Sequence, residues 1–287
     1  MFRGSMVALV TPFKSKSLDE ENLKNLISWQ VENKTDAIVL CGTTGEAPTL
    51  IDDEKIAIFE IATRMAKGKT KVIAGTGTYC TDKTVELTKK AKEIGLDGVL
   101  VVVPYYNKPP IEGLIRHFEE IAKVGLPIIL YHHPGRTGMK ISIENFKKLQ
   151  AIEEIVAIKE ASCDLNFAKQ LLENTRFDII SGDDALTVPM MKMGAKGVIS
   201  VLANVIPKKW KEMSDYCLNH EYDKAQEVYD YYNELVNSMF LETNPICVKY
   251  VLSLMGKCRS EMRLPLVEPS SETAKIIRNT ISNLIFE

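Results

Sequence analysis

Apolar runs, many of them rich in β-branched residues, recur along the chain at intervals of roughly 20–35 residues. These runs are hydrophobic at nearly every position, which is typical of parallel strands that are buried on both faces. Helical patterns, with apolar residues three to four apart, separate the runs. We therefore predict eight strands, at residues 5–10, 37–40, 72–74, 98–103, 127–131, 155–158, 178–180 and 197–201.

Small polar residues precede the helical patterns and glycines follow them, as is usual at helix ends. The clearest cases are residues 52–67 between Thr49 and Gly68, residues 85–94 between the segment 81–84 and Gly95, and residues 143–149 after Ser142. Eight strand–helix units in about 220 residues match a (β/α)8 TIM barrel in size and order. A doubly wound open sheet is the alternative, but it would normally carry a phosphate or dinucleotide fingerprint after its first strand, and this chain has none there.

The pattern changes at about residue 221. Residues 222–240, 245–255 and 271–284 have apolar residues at helical spacing, and no strand pattern remains. We therefore predict two parts, a barrel over residues 1–220 that carries the active site and a C-terminal helical extension over residues 221–287. Methionine and tyrosine stripes on these helices are explained most simply by core or subunit-interface packing.

Composition excludes several classes of protein. The 287 residues are 45% hydrophobic and 26% charged, as in ordinary globular proteins. A net charge of −2 provides no basic field for nucleic acid. No apolar run approaches the ~20 residues that span a membrane, and residues 1–10 suit a first strand better than a signal peptide. The six cysteines are scattered without a CxxC pair, which favours a reducing cytoplasm over a disulfide framework or a zinc site.

Lys159 is the most informative single residue. It directly follows the predicted strand at residues 155–158, and active sites of TIM barrels lie at this end of the strands. Burial disfavours the charged amine, so its pKa would fall from ~10.4 towards roughly 7–8. A neutral amine in a dry pocket attacks a ketone to form a Schiff base. The alternative is an inert lysine that extends to solvent.

Other polar residues follow neighbouring strands, so they would share the same mouth of the barrel. Residues 42–46, Gly-Thr-Thr-Gly-Glu, offer backbone N–H groups and two hydroxyls to a small carboxylate, although a tight turn alone would also explain the glycines. Arg136 suits a carboxylate because its guanidinium binds in bidentate fashion; an exposed loop arginine is the alternative. Tyr106 and Tyr131 have bland alternatives as an interface ring and a core ring.

The pair His132-His133 suggests a metal only at first sight. Adjacent side chains of an extended segment point to opposite sides, so two neighbouring histidines rarely share an ion. Residues 75–77, Gly-Thr-Gly, lack the third glycine of a dinucleotide site and indicate a turn. We therefore predict no metal site.

Together these segments resemble the dihydrodipicolinate synthases (4-hydroxy-tetrahydrodipicolinate synthases), within the class I pyruvate-dependent aldolase superfamily that also contains N-acetylneuraminate lyase. The resemblance spans nearly the whole chain, through residues 4–12, 42–46, 74–77, 104–107, 131–138, 158–161, 181–184, 197–200, 244–249 and 264–265. It implies a TIM-barrel lyase that condenses pyruvate with L-aspartate-4-semialdehyde, an early step of diaminopimelate and lysine biosynthesis.

The resemblance also implies the catalytic roles. Lys159 forms the Schiff base with pyruvate, and Tyr131 acts as acid and base. Thr43, Tyr131 and Tyr106 form a proton relay, in which Tyr106 reaches the site of a neighbouring subunit. The family is usually a tetramer built as a dimer of dimers. No metal or dissociable cofactor is required, because the covalent imine of Lys159 with pyruvate serves as the electron sink.

The implied binding residues bear on the substrate. Thr43 and Thr44 hold the pyruvate carboxylate, Arg136 holds that of the aldehyde, and Gly182 and Ile199 shape the pocket through backbone groups. N-acetylneuraminate lyases usually have Gly-Ser-Thr-Gly-Glu in the first loop and lack this arginine, so both features favour the synthase. The alternatives are another pyruvate-dependent aldolase, acting on a sugar-acid aldehyde, and a non-catalytic homologue that binds a keto acid.

Two features depart from family patterns. The family commonly has Tyr-Asn where this chain has Tyr131-His132, a difference that bears on the shape of the aldehyde pocket. Members regulated by lysine tend to have a histidine or an acidic residue at the position of Lys55, an asparagine at that of Tyr79 and a glutamate at that of Lys83. Because cationic side chains oppose a cationic effector, we expect weak or absent inhibition by lysine.

Overall fold

Eight parallel strands close into a barrel in this computed structural model, which describes residues 1–282 and residue 284. The predicted TIM barrel is thus confirmed, and the open sheet is excluded, because β1 pairs with both the second and the last barrel strand. The strands are β1 (Gly4–Ala8), β2 (Phe13–Lys14), β3 (Ser17–Leu18), β4 (Ala37–Leu40), β5 (Lys71–Gly75), β6 (Gly98–Val102), β7 (Ile128–His132), β8 (Ile155–Glu160), β9 (Asp178–Ser181) and β10 (Gly197–Ser200). Strands β2 and β3 form a separate small hairpin.

Helices cover the barrel and continue into the C-terminal extension. They are α1 (Glu20–Glu32), α2 (Asp52–Ala66), α3 (Thr81–Ile94), α4 (Ile111–Ala122), α5 (Pro134–Thr137), α6 (Ile143–Leu149), α7 (Leu165–Asn174), α8 (Thr187–Lys192), α9 (Pro207–Leu218), α10 (Tyr222–Ser238), α11 (Ile246–Leu254) and α12 (Ser271–Ser282), with 3-10 turns at Ala47–Thr49 and Leu202–Asn204. None in the described part of the chain is long and apolar enough to cross a membrane.

Helix ends follow the predicted signals with one correction. Gly95 closes α3 in the left-handed conformation, with φ of 90°, and Ser142 caps α6 by accepting a hydrogen bond from the Asn145 N–H. Thr49 does not cap α2; it lies in a 3-10 turn, and the Glu54 carboxylate accepts the N–H of Ile51 instead. The third predicted tail helix, residues 271–284, is present to Ser282; Asn283 lies outside the described residues, and Leu284 lies in a bend rather than in the helix.

Side chains of the strands form two apolar layers. One layer fills the barrel interior and includes Ile129, Ala157 and Ile180, while the other lies between the strands and the helices. Because side chains alternate along a strand, the residues two positions further along β7 and β8 also face the interior. This alternation directs Tyr131 and Lys159 towards the mouth of the barrel.

Strand β8 is longer than predicted. The predicted strand ended at residue 158, but the ladder continues because Lys159 pairs with Tyr131 on β7, and Glu160 pairs with His132. Lys159 therefore stands inside the strand rather than just after it. Its backbone is held on both sides by neighbouring strands, which gives the side chain a fixed origin.

Candidate active site

A cavity of about 650 Å³ lies at the carboxyl ends of the barrel strands. Its wall comes partly from loops after the strands and partly from the C-terminal extension, through residues 240–244 and 246. The structure brings six of the predicted site residues to this wall: Thr43, Thr44, Tyr131, Arg136, Lys159 and Gly182.

Lys159 presents its amine to this cavity from a buried position. Burial, the largest influence, lowers the pKa of Lys159 to about 8; Asp184 opposes this shift, and the positive charge of Arg136 adds to it. The Nζ atom lies 4.2 Å from the centroid of the Tyr131 ring. A substantial fraction of the amine is therefore neutral near physiological pH and able to act as a nucleophile.

Gly182 leaves room for that lysine. A Cβ atom at Gly182 would lie 2.7 Å from the Cβ of Ala161 and 3.0 Å from the Cε of Lys159, which is too close for any larger residue. The Gly182 N–H also donates a 2.7 Å hydrogen bond to the carbonyl of Glu160. The absence of a side chain here thus preserves the path of the lysine stem.

Tyr131 stands beside the amine with its hydroxyl protonated. Burial raises the pKa of Tyr131 to about 12, although Arg136 and a hydrogen bond between the Thr43 and Tyr131 hydroxyl groups act in the opposite direction. At neutral pH the phenol is therefore a proton donor. The hydrogen bond between Tyr131 and Thr43 joins two of the three residues of the predicted proton relay.

Hydrogen bonds fix the position of Thr44 and of its loop, residues 42–46, which we call the carboxylate loop. The side-chain amide of Asn244 donates a 2.9 Å hydrogen bond to Thr44 Oγ1. Since the hydroxyl oxygen is already an acceptor, its own hydrogen is free to donate to an anion in the cavity. Thr11 fixes the loop from below by donating a 2.7 Å hydrogen bond to the carbonyl of Gly45.

Arg136 lies on α5, a short helix where the sequence indicated a loop. Pro134 begins the helix, and Gly138 ends it with φ of 69°. Arg136 is an exposed residue at the cavity wall, and its guanidinium donates a 3.5 Å hydrogen bond to the carbonyl of Asn244. Its remaining donors are available to a ligand, and its role as a carboxylate clamp stays a prediction.

Two predicted residues lie away from the cavity wall. Ile199 is packed in the apolar interior of the barrel with 1% of its surface exposed. Tyr106 is 90% exposed and has a left-handed backbone, with φ of 73°. A second cavity, of about 550 Å³, shares Thr43, Tyr131 and Arg136 with the first. The predicted effector-site residues also surround it: Lys55, Tyr79 and Lys83.

The two adjacent histidines point to opposite sides, as predicted. His133 lines the cavity, and its pKa is lowered to about 4 by burial and by the charges of Arg136 and Lys159. His132 faces the outer layer, where its ring is fully buried beside Glu160. Among the described residues, no group of three histidine, cysteine, aspartate or glutamate side chains is placed to hold a metal ion.

Sequence comparison agrees with the resemblance. A profile of the dihydrodipicolinate synthetase family matches residues 1–284. The chain belongs to this family. The 4-hydroxy-tetrahydrodipicolinate synthase of Aquifex aeolicus (strain VF5) is 47% identical over 285 residues, which are 98% of this chain and 97% of that relative. The synthase of Geobacter metallireducens is 49% identical over 269 residues, 93% of each chain.

Solved structures of the family have the same fold. The crystal structure of dihydrodipicolinate synthase from Aquifex aeolicus superposes with a TM-score of 0.96 at 46% identity, covering 98% of this chain and 97% of that one. The barrel and the C-terminal helices described above are therefore those of the family.

One buried ion pair, between Lys249 and Glu46, was not predicted from the sequence. Lys249 on α11 donates a 2.6 Å hydrogen bond to Glu46 of the carboxylate loop, and both side chains are fully buried. Lys249 also donates to the carbonyl of Glu261, and Glu46 accepts the N–H of Arg263. A signal existed in the sequence, because Lys249 is the single charged residue of α11, a helix that is mostly apolar. Such a lysine is rarely buried without a partner.

Proposed function

We propose that this chain is a 4-hydroxy-tetrahydrodipicolinate synthase, which joins pyruvate to L-aspartate-4-semialdehyde through a covalent imine. The observation that carries the proposal is the buried, partly neutral amine of Lys159 beside the protonated hydroxyl of Tyr131. A strongly shifted lysine in a cavity, next to a proton donor, is the arrangement that imine chemistry needs. The names of the relatives support the choice of substrates.

Imine formation is the first step. The carboxylate of pyruvate binds the hydroxyls of Thr43 and Thr44, which directs its keto carbon towards Lys159. The neutral amine attacks that carbon, and Tyr131 supplies a proton so that the keto oxygen leaves as water. Thr43, hydrogen-bonded to Tyr131, passes protons between the phenol and the cavity.

Carbon–carbon bond formation follows from the charge of the imine. The iminium nitrogen withdraws electrons, so the Tyr131 phenolate left by the first step accepts a methyl proton of the bound pyruvate, and an enamine forms. The enamine carbon attacks the aldehyde, whose carboxylate is held by Arg136, and Tyr131 returns the proton to the aldehyde oxygen. Transfer of the imine to the amino group of the semialdehyde then closes the ring and frees Lys159. No metal or dissociable cofactor takes part in this scheme.

We also infer that Tyr106 acts in a second copy of the chain. Its ring is 90% exposed, which is unusual for a large aromatic residue in a single chain. The second cavity opens beside Thr43 and Tyr131, so a ring from a neighbouring subunit has space to reach the relay there. A homo-oligomer, which we propose is a tetramer, would complete each site in this way.

Trapping and substrate assays test the proposal together. The purified protein is treated with pyruvate and borohydride, and mass spectrometry locates the reduced adduct, which is expected at Lys159. Pyruvate consumption is then followed with aspartate semialdehyde, N-acetylmannosamine and glyceraldehyde. Consumption with aspartate semialdehyde alone supports the synthase. A preference for a sugar aldehyde would indicate the other aldolase class, and an adduct without turnover would indicate a keto-acid-binding homologue.

A further inference from the structure

His132 and Glu160 form a buried pair directly behind the reactive side chains. In the ladder between β7 and β8, Tyr131 pairs with Lys159 and His132 pairs with Glu160. Because side chains alternate, the first pair faces the cavity and the second faces the helices on the outer side of the barrel. His132 and Glu160 are 0% and 2% exposed at their side chains, so neither reaches a substrate.

Hydrogen bonds define the charge state of this pair. The Nε2 atom of His132 accepts the N–H of Ile141 at 3.2 Å, so it carries no proton. The proton is therefore on Nδ1, which donates to Glu160 Oε2 at 2.6 Å. The other carboxylate oxygen, Oε1, accepts the N–H of Ser162 at 2.6 Å. A neutral imidazole and a carboxylate thus satisfy each other, with every strong donor and acceptor of the ring engaged.

Packing against two phenylalanine rings restricts the His132 imidazole to one orientation. The ring of His132 lies edge-on to Phe146, with centroids 5.3 Å apart, and at the same distance from Phe167. These phenylalanines belong to α6 and α7, which cover β7 and β8 from outside. Rotation of the imidazole would break hydrogen bonds and displace both rings, so the side chains hold the two strands in one register.

The backbones of the same two residues also reach the cavity. The carbonyl of His132 accepts the N–H of Ala161, and the carbonyl of Glu160 accepts the N–H of Gly182, which packs on the Lys159 stem. A shift of β7 against β8 would therefore move Lys159 relative to Tyr131. We propose that His132 and Glu160 are positioning residues, a buried hydrogen-bonded pair that fixes the Tyr131 hydroxyl against the Lys159 amine. This inference rests on the proposed function.

The test compares rates per imine-forming subunit, so that loss of folded protein does not count. Active sites of each variant are titrated by borohydride trapping with pyruvate. In H132F the ring volume remains but the hydrogen bonds are lost, and we expect kcat to fall about 10- to 100-fold, since small misplacements of reacting groups have effects of this size. The pyruvate KM should stay within about threefold, because the carboxylate loop is on other elements.

Two further variants sharpen the result. E160Q replaces one acceptor by a donor, so either the His132 Nδ1–H or the Ser162 N–H loses its partner, and kcat should fall as in H132F. It also tests the proposal if H132F does not fold. H132N keeps a donor close to the position of Nδ1, and we expect it to recover kcat to within about threefold of wild type.

His117 offers a matched control. It is another buried histidine, 4% exposed, whose Nδ1 bonds the Thr81 hydroxyl at 3.0 Å, but it lies on α4 outside the cavity. H117F should leave kcat per titrated site unchanged. Values of kcat for H132F and E160Q within about twofold of H117F, or an H132N variant as slow as H132F, would overturn the positioning role. If the wild-type protein traps no pyruvate, the proposed function fails and the positioning role fails with it.

Discussion

Lys159 and Tyr131 stand on adjacent strands of the barrel, whereas Thr43 and Thr44 lie on a loop that the C-terminal extension holds. The strand residues are neighbours in a ladder of main-chain hydrogen bonds. The loop depends on side chains, because Asn244 bonds Thr44. The loop also depends on a buried ion pair with α11. The strand half of the site, Lys159 and Tyr131, is therefore positioned by neighbouring strands of the barrel. The loop half, Thr43 and Thr44, is positioned by contacts with distant parts of the chain.

This difference separates two kinds of vulnerability. Outside the His132–Glu160 pair, substitutions on β7 and β8 should act mainly through the chemistry of the replaced group, because the main-chain ladder still holds the strands. The loop contains a charge, Glu46, that is stable in the interior only while Lys249 faces it. Substitutions there should disturb folding and pyruvate binding before they disturb chemistry.

The largest effect is expected from Lys159→Ala. Without the amine no imine forms, so turnover should fall at least about a thousandfold while the fold persists, as for loss of other covalent nucleophiles. Steady-state rates and borohydride trapping measure this loss. Lys90→Ala, at an exposed position of α3, is the control and should behave as wild type. Residual imine formation in Lys159→Ala would contradict the assignment.

Lys249→Met breaks the other half of the site. It leaves the carboxylate of Glu46 buried without its partner, so the free energy of unfolding should fall by about 3–5 kcal/mol. Denaturant unfolding measures the loss. In the fraction that remains folded, the pyruvate KM should rise more than kcat falls, because the carboxylate loop has lost its support.

An exposed pair provides the comparison for that variant. Lys24 and Glu20 are 3.0 Å apart on the surface of α1, and Lys24→Met should change stability by less than about 1 kcal/mol. Adding Glu46→Gln to Lys249→Met removes the unpaired charge and should recover part of the loss. If Lys249→Met were as stable as Lys24→Met, the buried pair would have no supporting role.

The pH dependence of imine formation reports on Lys159, in the strand half of the site, without involving the loop. The pKa of Lys159 is lowered to about 8, so the amine is protonated below that pH and neutral above it. The trapping rate should therefore rise with pH, with the neutral fraction growing from about 1% at pH 6 to about 50% at pH 8. Circular dichroism at each pH controls for unfolding. A rate independent of pH between 6 and 9 would refute a titrating amine.

Tyr106→Phe should lower kcat about tenfold, because a relay member contributes to proton transfer without forming the covalent bond. Mixed oligomers show whether the residue acts in trans. Co-expression of Tyr106→Phe with Lys159→Ala should restore activity, since the second chain lends its tyrosine to the first. Co-expression with the Tyr106→Phe, Lys159→Ala double variant is the control. Equal rates in both mixtures would place Tyr106 outside a neighbouring site.

The smallest effect concerns free lysine. Lys55 and Lys83 line the second cavity and oppose a cationic ligand, so half-inhibition should require more than about 1 mM lysine. A titration of the condensation rate measures it, with sodium chloride at equal ionic strength as the control. Inhibition at lower concentrations would show that the two charges do not exclude the effector.

Much of the strand half was predictable from the sequence, for a physical reason. Buried parallel strands have a periodic signature, and the rule that chemistry lies at their carboxyl ends identified Lys159 and Tyr131. The end of β8 was wrong because a lysine and a glutamate resemble a turn in sequence. Only the facing residues on β7, above all His132, show why both remain in the ladder.

The loop half was harder to predict. Thr43 and Thr44 were predicted from the residue types of a loop that follows a strand, and their roles from the family resemblance, but the contacts of Asn244 and Lys249 join residues 200 and 203 positions apart. Local patterns do not encode such pairings. Tyr106 poses a different difficulty, because the role proposed for it depends on a second chain, and its own chain shows only that the ring is exposed.

The distance between Glu46 and Lys249 also sets an order of events during synthesis. Glu46 leaves the ribosome early, and its amine partner follows 203 residues later. Until then, a nascent chain that already contains all eight barrel strands has no lysine in place to pair with the Glu46 carboxylate. A product that stops before α11 therefore contains Lys159, Tyr131 and Asn244 but lacks Lys249, the partner of Glu46. The buried partner of Glu46 is therefore among the last parts of the site to be synthesised.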